Sequence, residues 1–187
     1  MIKQAKEFNR YIAIAGFKNV HINNVDHILN MVRQKTHNAV VQLFNAEVVA
    51  GSHHLYFAAL NALKAFKNGT NISKNLAVEC LLYASAKRQI KSALGLVGIK
   101  EGSSQVAVLI VADEKIFAER SLVEISNWIH GKRSDEVLDM SKEKIAHIRR
   151  VFNISEVELA AKQEANGEEK ALSDLVIEHM ALLVTRR

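Results

Sequence analysis

The chain has 187 residues, 49% of them apolar, with one cysteine, no proline and a formal net charge of +5. That length buries a full core as a single domain, no run approaches the roughly 20 uninterrupted apolar residues of a membrane helix, and Cys80 alone excludes an internal disulfide. The start of the chain, with Lys3, Lys6, Glu7 and Arg10, lacks the apolar centre of an export signal, so a cytoplasmic protein with a structural thiol is expected. Residues 1–100 hold 13 Lys+Arg against 4 Asp+Glu (13 − 4 = +9), whereas residues 101–187 hold 12 against 16 (12 − 16 = −4). A basic first half and an acidic second half point to an acidic partner for the first only.

In chain order, a strand is expected at Tyr11–Phe17, then an amphipathic helix over about Asn24–Lys35 carrying Ile28, Leu29, Met31 and Val32. Ala39–Val49 reads as a second extended run. Gly51-Ser52 ends it and offers Ser52 as the N-cap of a helix to about Lys67, apolar nearly all round and so central to the core. Asn68-Gly69-Thr70 closes that helix, and helical spacing resumes after Ser73. Gln105–Val111, short and β-branched, reads as a buried strand. Helices are expected over about Glu114–His130, Lys142–Phe152, Glu156–Gln163 and Glu169–Thr185, with breaks at Gly131, Asn153 and Asn166-Gly167.

These elements predict an α+β fold in which helices cover one face of a small mixed or antiparallel sheet of three to four strands. The stretch between the second and third strands is too long for a simple crossover. A basic α/β core (1–112) and an acidic, all-helical C-terminal third (113–187) are expected to form one domain.

Catalytic signatures are absent: no phosphate-binding loop, no G-x-G-x-x-G, no paired cysteines, no H-E-x-x-H and no G-x-S-x-G. His53 and His54 are adjacent and face different directions on a helix, and His21 and His27 lack helical ligand spacing, so neither pair suggests a metal. No cofactor is expected.

The most informative stretch runs from Glu79 to Ile99, taken together with Lys74 and Leu76 just before it. Read as one helix, it places Leu76, Cys80, Tyr83, Ile90 and Leu94 in one packing sector. Lys74, Lys87, Arg88 and Lys91 share the opposite sector with Ala77, Leu81, Ala84 and Ser85. Small residues between cations let an extended anion approach the backbone. The plain alternative is a solvated helix face.

The run Gly51-Ser52-His53-His54-Leu55 through Ala58-Ala59-Leu60-Asn61-Ala62, followed by Ser73, Glu79, Ser85, Ile90, Ala93-Leu94 and Gly98-Ile99, resembles the non-catalytic tRNA-binding subunit of the KEOPS complex. Its animal counterpart is the p53-related-protein-kinase binding protein. The likeness covers about residues 38–112 well, Ile177–Leu183 is similar to the last helix of that family, and Lys87-Arg88-Gln89-Ile90 looks archaeal. It also implies an alternative to the continuous helix, in which Ser85 caps a second helix starting near Lys87.

That resemblance implies a protein without chemistry of its own. It would bind the single-stranded 3′ CCA end of tRNA, and it would bind and activate the kinase-like ATPase subunit and, through it, meet the threonylcarbamoyl-transferase subunit. The complex installs threonylcarbamoyl on the adenosine at position 37 of tRNA. The nucleic-acid contacts expected are Lys74, Leu81, Ala84, Ser85, Lys87, Arg88 and Lys91, with Leu81 and Ala84 flooring a base. Partner contacts are expected at Ile148, Val151, Phe152, Ile154 and Val157, although by spacing alone the same stripe reads equally as internal core. The isolated chain is expected to be monomeric. Two other readings stand beside this one: a scaffold or kinase regulator that touches protein only, and a small hydrolase using His53, His54 and Glu79.

Overall fold

The computed structural model describes residues 1–36 and 38–184. Strands β1 (Ile2–Ala5), β2 (Arg10–Lys18), β3 (Ala39–Asn45) and β4 (Gln105–Ala112) form an antiparallel sheet in the order β1-β2-β4-β3, and the two-residue β5 (Lys132–Arg133) pairs with the end of β2. The register sets Ile14 opposite Leu109 and Leu43 opposite Val108. β4 lies between two partners and is covered above and below, which explains its unbroken apolar run Val106–Ala112.

Successive side chains of a strand point to opposite faces. One face presents Ile12, Ile14, Phe44, Ala107, Leu109 and Val111 to helices α2 (Gly51–Asn68), α3 (Leu76–Ser85), α4 (Ile90–Val97), α6 (Lys142–Phe152), α7 (Glu156–Asn166) and α8 (Glu168–Ala181). The other presents Ala13, Ala15, Phe17, Leu43, Val106, Val108 and Ile110 to α1 (Val25–Lys35) and α5 (Lys115–Trp128). Helices therefore cover both faces, not one as expected. Among the described residues the sheet also has two more strands than the clearest sequence signals: β1 and β5 lie at its edges, with side chains such as Lys3, Gln4, Lys132 and Arg133 left in water.

Local boundaries follow from caps. Asn24, Asn75, Ser141 and Ser155 each accept a backbone N–H of the first helical turn, and Ser155 with Glu158 forms a reciprocal capping box. The extended run from Ala39 stops at Asn45, whose side chain accepts from Glu47 N–H and starts a 3₁₀ turn. Ser52 is not the cap of α2. That helix starts at Gly51, whose φ of +85° suits glycine, with Ala50 before it. The last helix ends at Ala181 in a 3₁₀ turn over Leu182–Val184, and the expected end at Thr185 lies outside the described residues.

The C-terminal helices share the main core. Ile145, Ile148, Phe152, Ile154, Leu172, Val176 and Met180 pack in the same cluster as Leu55, Leu82 and Leu109. The segment before α6 is tied to the sheet where Gly16 N–H donates to Asp135 Oδ1 at 2.9 Å. Only glycine fits there: a Cβ on residue 16 would meet the Ser134 carbonyl at 2.6 Å.

Candidate nucleic-acid interface

Helices α2 and α3 form an antiparallel hairpin whose turn and far end are each held by one buried polar group. At the turn, the Glu79 carboxylate is fully buried and accepts N–H bonds from Ile72 and Ser73, the shortest at 2.7 Å. At the far end, Ala50 N–H donates to His54 Nδ1 at 3.0 Å, so the proton sits on Nε2 and is donated to the Ala84 carbonyl at 2.8 Å. Burial pulls the His54 pKa down to about 4, keeping the ring neutral, and it stands edge-on to Phe152. His53 is exposed beside it. The three residues of the hydrolase reading therefore form no acid–base group: His54 and Glu79 are spent on backbone, at opposite ends of the hairpin.

Lys74–Ile99 is not one helix. α3 ends with Ala86 in the left-handed conformation (φ 51°), whose N–H donates to the Leu82 and Tyr83 carbonyls, while Lys87 N–H donates to Leu82 O and to Ser85 Oγ. This is a Schellman-type stop built on alanine where glycine is usual. A second helix does follow, as the family resemblance implied, but it starts at Ile90 with Gln89 as its N-cap, and no side chain bonds the first-turn N–H groups.

The break rearranges the expected contacts. The second half of α3 is enclosed by its neighbours α2, α4, β3 and α8, so Leu81 is 1% exposed and Ala84 and Ser85 are fully buried. Ala84 and Ser85 offer no side chain to a ligand, and Leu81 reaches the surface only at the bottom of the groove described below. Lys87, Arg88 and Lys91 are brought together on the 86–91 turn, all exposed, and no carboxylate among the described residues pairs with them. Arg88 donates a long bond (3.4 Å) to the Leu183 carbonyl, fixing the turn against the C-terminal segment. Lys74 stands apart, before α3, next to Asn75.

Ile90 and Leu94, expected to pack, are 46% and 44% exposed. One turn apart on α4, they form one wall of a groove of about 400 Å³ whose other sides include Leu29 and Arg33 of α1, Gln42 of β3 and Val78 of α3. Sequence spacing points them inward because a 100° rule applied across the break assigns α4 the phase of α3. What results is three unneutralised cations and the open amide end of α4 beside an apolar groove. Single-stranded nucleic acid takes such surfaces, phosphates on the cations and bases on the apolar wall.

The expected partner side chains mostly lie inside. Ile148, Phe152 and Ile154 are buried in the main core, which leaves their side chains no surface for a partner; Val151 is half-buried against that core, and Val157 is open, at 79%.

The family model for kinase binding protein CGI-121 matches residues 17–183. The chain belongs to the CGI-121 family. Regulatory protein Cgi121 of Methanocaldococcus jannaschii is 33% identical over 141 residues, which cover 75% of this chain and 83% of that protein. KEOPS complex subunit Cgi121 of Pyrococcus abyssi is 32% identical over 71 residues, 37% of this chain and 42% of that protein. No helix of the described CGI-121 chain is long and apolar enough to cross a membrane.

Proposed function

We propose that this chain is a non-catalytic subunit of a KEOPS complex that makes threonylcarbamoyladenosine in tRNA. It grips the single-stranded 3′ CCA end on the 86–94 segment and binds and activates a kinase-like ATPase subunit. The observation that carries the RNA reading is the break at Ala86–Gln89. It turns Lys87, Arg88 and Lys91 outward at the open start of α4 and exposes Ile90 and Leu94 beside them. The Pyrococcus relative, a KEOPS complex subunit, supports the complex, and the family's character as kinase binding proteins supports the kinase-like partner. With Ile148, Phe152 and Ile154 in the core, partner docking on the C-terminal part falls to the open surface around Val157. The buried backbone roles of His54 and Glu79 favour binding over chemistry.

The test is a paired charge reversal. Arg88→Glu with Lys91→Glu should weaken tRNA binding at least tenfold at moderate salt and flatten its salt dependence by roughly 0.7 in log–log slope per lost phosphate contact with a single strand. Co-purification with the kinase-like subunit should persist. Wild-type affinity in the double variant would remove the RNA site from this segment.

A further inference from the structure

A second cationic surface lies at the other end of the α2–α3 hairpin, where no sequence motif or relative assigns a role. The edge strand β1 and the 3₁₀ turn after it (Lys6–Phe8) lie against α2, and a shallow cleft of about 380 Å³ runs between them, walled by Phe8, Tyr56, Phe57 and Lys64. Four lysines gather here: Lys3 and Lys6 from the edge, Lys64 and Lys67 from the last turns of α2. Glu7 is the single carboxylate of the cleft, paired with Lys67 at 3.8 Å, and the local balance is 4 − 1 = +3. Lys3, Lys6 and Lys64 have no carboxylate partner among the described residues.

The aromatic rings hold two of these cations in place. Lys3 Nζ lies 5.4 Å from the Tyr56 ring centre and Lys67 Nζ 5.6 Å from that of Phe8, both within cation–π range. A long side chain held over a ring loses less freedom when it meets a phosphate, and the ammonium keeps its outer hydrogens for that contact. Lysines on β1 alone would be explained as protection of an open sheet edge. Lys64 and Lys67 are on a helix, where edge protection does not apply.

We infer that this β1–α2 shelf is a phosphate-contacting surface for the body of a bound RNA, separate from the segment that takes the single-stranded end. The inference rests on the RNA reading proposed above. Position favours it: Lys64 lies ten residues beyond His54 on α2, about 15 Å at 1.5 Å per residue, while His54 holds the α3 end that carries the 86–91 turn. One RNA chain gripped at its end by that turn would reach the shelf with phosphates several nucleotides away. A protein partner of acidic character is the competing occupant. The shelf offers little open apolar area for one, Phe57 being its only large apolar side chain more than a third exposed, at 38%.

The experiment compares the full chain with its Lys6→Glu/Lys64→Glu variant, titrating whole tRNA and a short single-stranded RNA ending in CCA over a salt series, with melting temperature and co-purification of the kinase-like subunit alongside. The expected result is a log–log salt slope shallower by about 2 for whole tRNA, near 0.9 per lost duplex phosphate contact, and unchanged for the short RNA, with melting unaffected. An unchanged slope for whole tRNA overturns the inference. So does an equal loss on both RNAs, which would mark a general field and not a contact. Loss of the kinase-like subunit with intact tRNA binding would assign the shelf to protein and overturn it too. Failure of the wild-type chain to bind the short RNA would instead refute the end-gripping site, a result the whole-tRNA comparison does not share. Neutral Lys6→Gln/Lys64→Gln substitutions should give the same pattern with a smaller loss of affinity.

Discussion

His54 is the residue whose perturbation reports most directly on how the interface is held. Its two ring nitrogens join Ala50 at the start of α2 to Ala84 at the end of α3, inside the core. Removing the ring leaves a buried N–H and a buried carbonyl without partners, about 1–3 kcal/mol each, and opens a cavity besides, so His54→Ala should cost roughly 3–5 kcal/mol. Acid does the same work reversibly. The folded pKa of about 4 lies below the ordinary 6.5, so the unfolded chain takes up a proton that the folded chain refuses. This contribution is complete above pH 6.5 and is lost as pH falls towards 4. At about 1.36 kcal/mol per pKa unit, the loss between pH 7.5 and pH 4.5 attributable to this ring is roughly 2.5 kcal/mol. Urea denaturation of the wild type and of His54→Gln at the two pH values measures it. The variant should be less stable at neutral pH and should lose about 2 kcal/mol less on acidification. If the two proteins lose stability in parallel, His54 is not the neutral link between the helices.

Three further outcomes separate packed from presented side chains. Leu81→Ala should destabilise by about 2–5 kcal/mol in denaturant titration, whereas Leu94→Ala should cost under about 1 kcal/mol yet weaken binding of single-stranded RNA, because only the second side chain is open. Ile148→Arg, which sets a charge in a fully buried site, should abolish soluble folded protein, while Val157→Arg should leave stability within about 0.5 kcal/mol and reduce co-purification of the kinase-like subunit. Burial of Lys144, whose ammonium donates to the Val137 carbonyl at 2.7 Å, pulls its pKa from 10.5 down to about 8. The folded chain therefore releases that proton first, and wild-type stability should rise as pH goes from 8 to 10.5. Replacing Lys144 with Met should remove that rise, as read by denaturation at pH 7.5 and 9.5.

Much of the fold was legible in residue order and little of the site was. The strands over Tyr11–Phe17 and Gln105–Val111 are long β-branched or apolar runs, and they appear in place because a central strand buried on both faces leaves that signature. β1 carries Lys3 and Gln4, and β5 is Lys132-Arg133, so neither has a pattern distinguishable from a loop. The single covered face failed for a different reason: α1 is legible as an amphipathic helix, but the spacing of its apolar residues does not say which face of the sheet that stripe covers. At the site, the stop in Ala84-Ser85-Ala86-Lys87 uses an alanine with φ of 51° and the hydroxyl of Ser85, with neither glycine nor proline to mark it. Helical phase carried across that stop reversed the roles of Leu81 and Leu94. Lys87, Arg88 and Lys91 stay together and exposed because their closeness in sequence survives an error of phase, whereas Lys74 belongs to the other end of α3. Ile148, Phe152 and Ile154 read equally as core or interface from spacing, and only the packing of α6 against the sheet and α8 decides for core.

In the proposed function, the 86–94 segment holds the single-stranded 3′ end of tRNA. The most direct test is the affinity of the isolated full chain for one tRNA with and without its terminal CCA, measured for wild type and for Arg88→Glu at the same moderate salt. Removing CCA should weaken wild-type binding at least tenfold, and Arg88→Glu should bind both RNAs equally weakly. Equal wild-type affinity for the two RNAs, or an Arg88→Glu protein that still distinguishes them as the wild type does, would contradict that assignment.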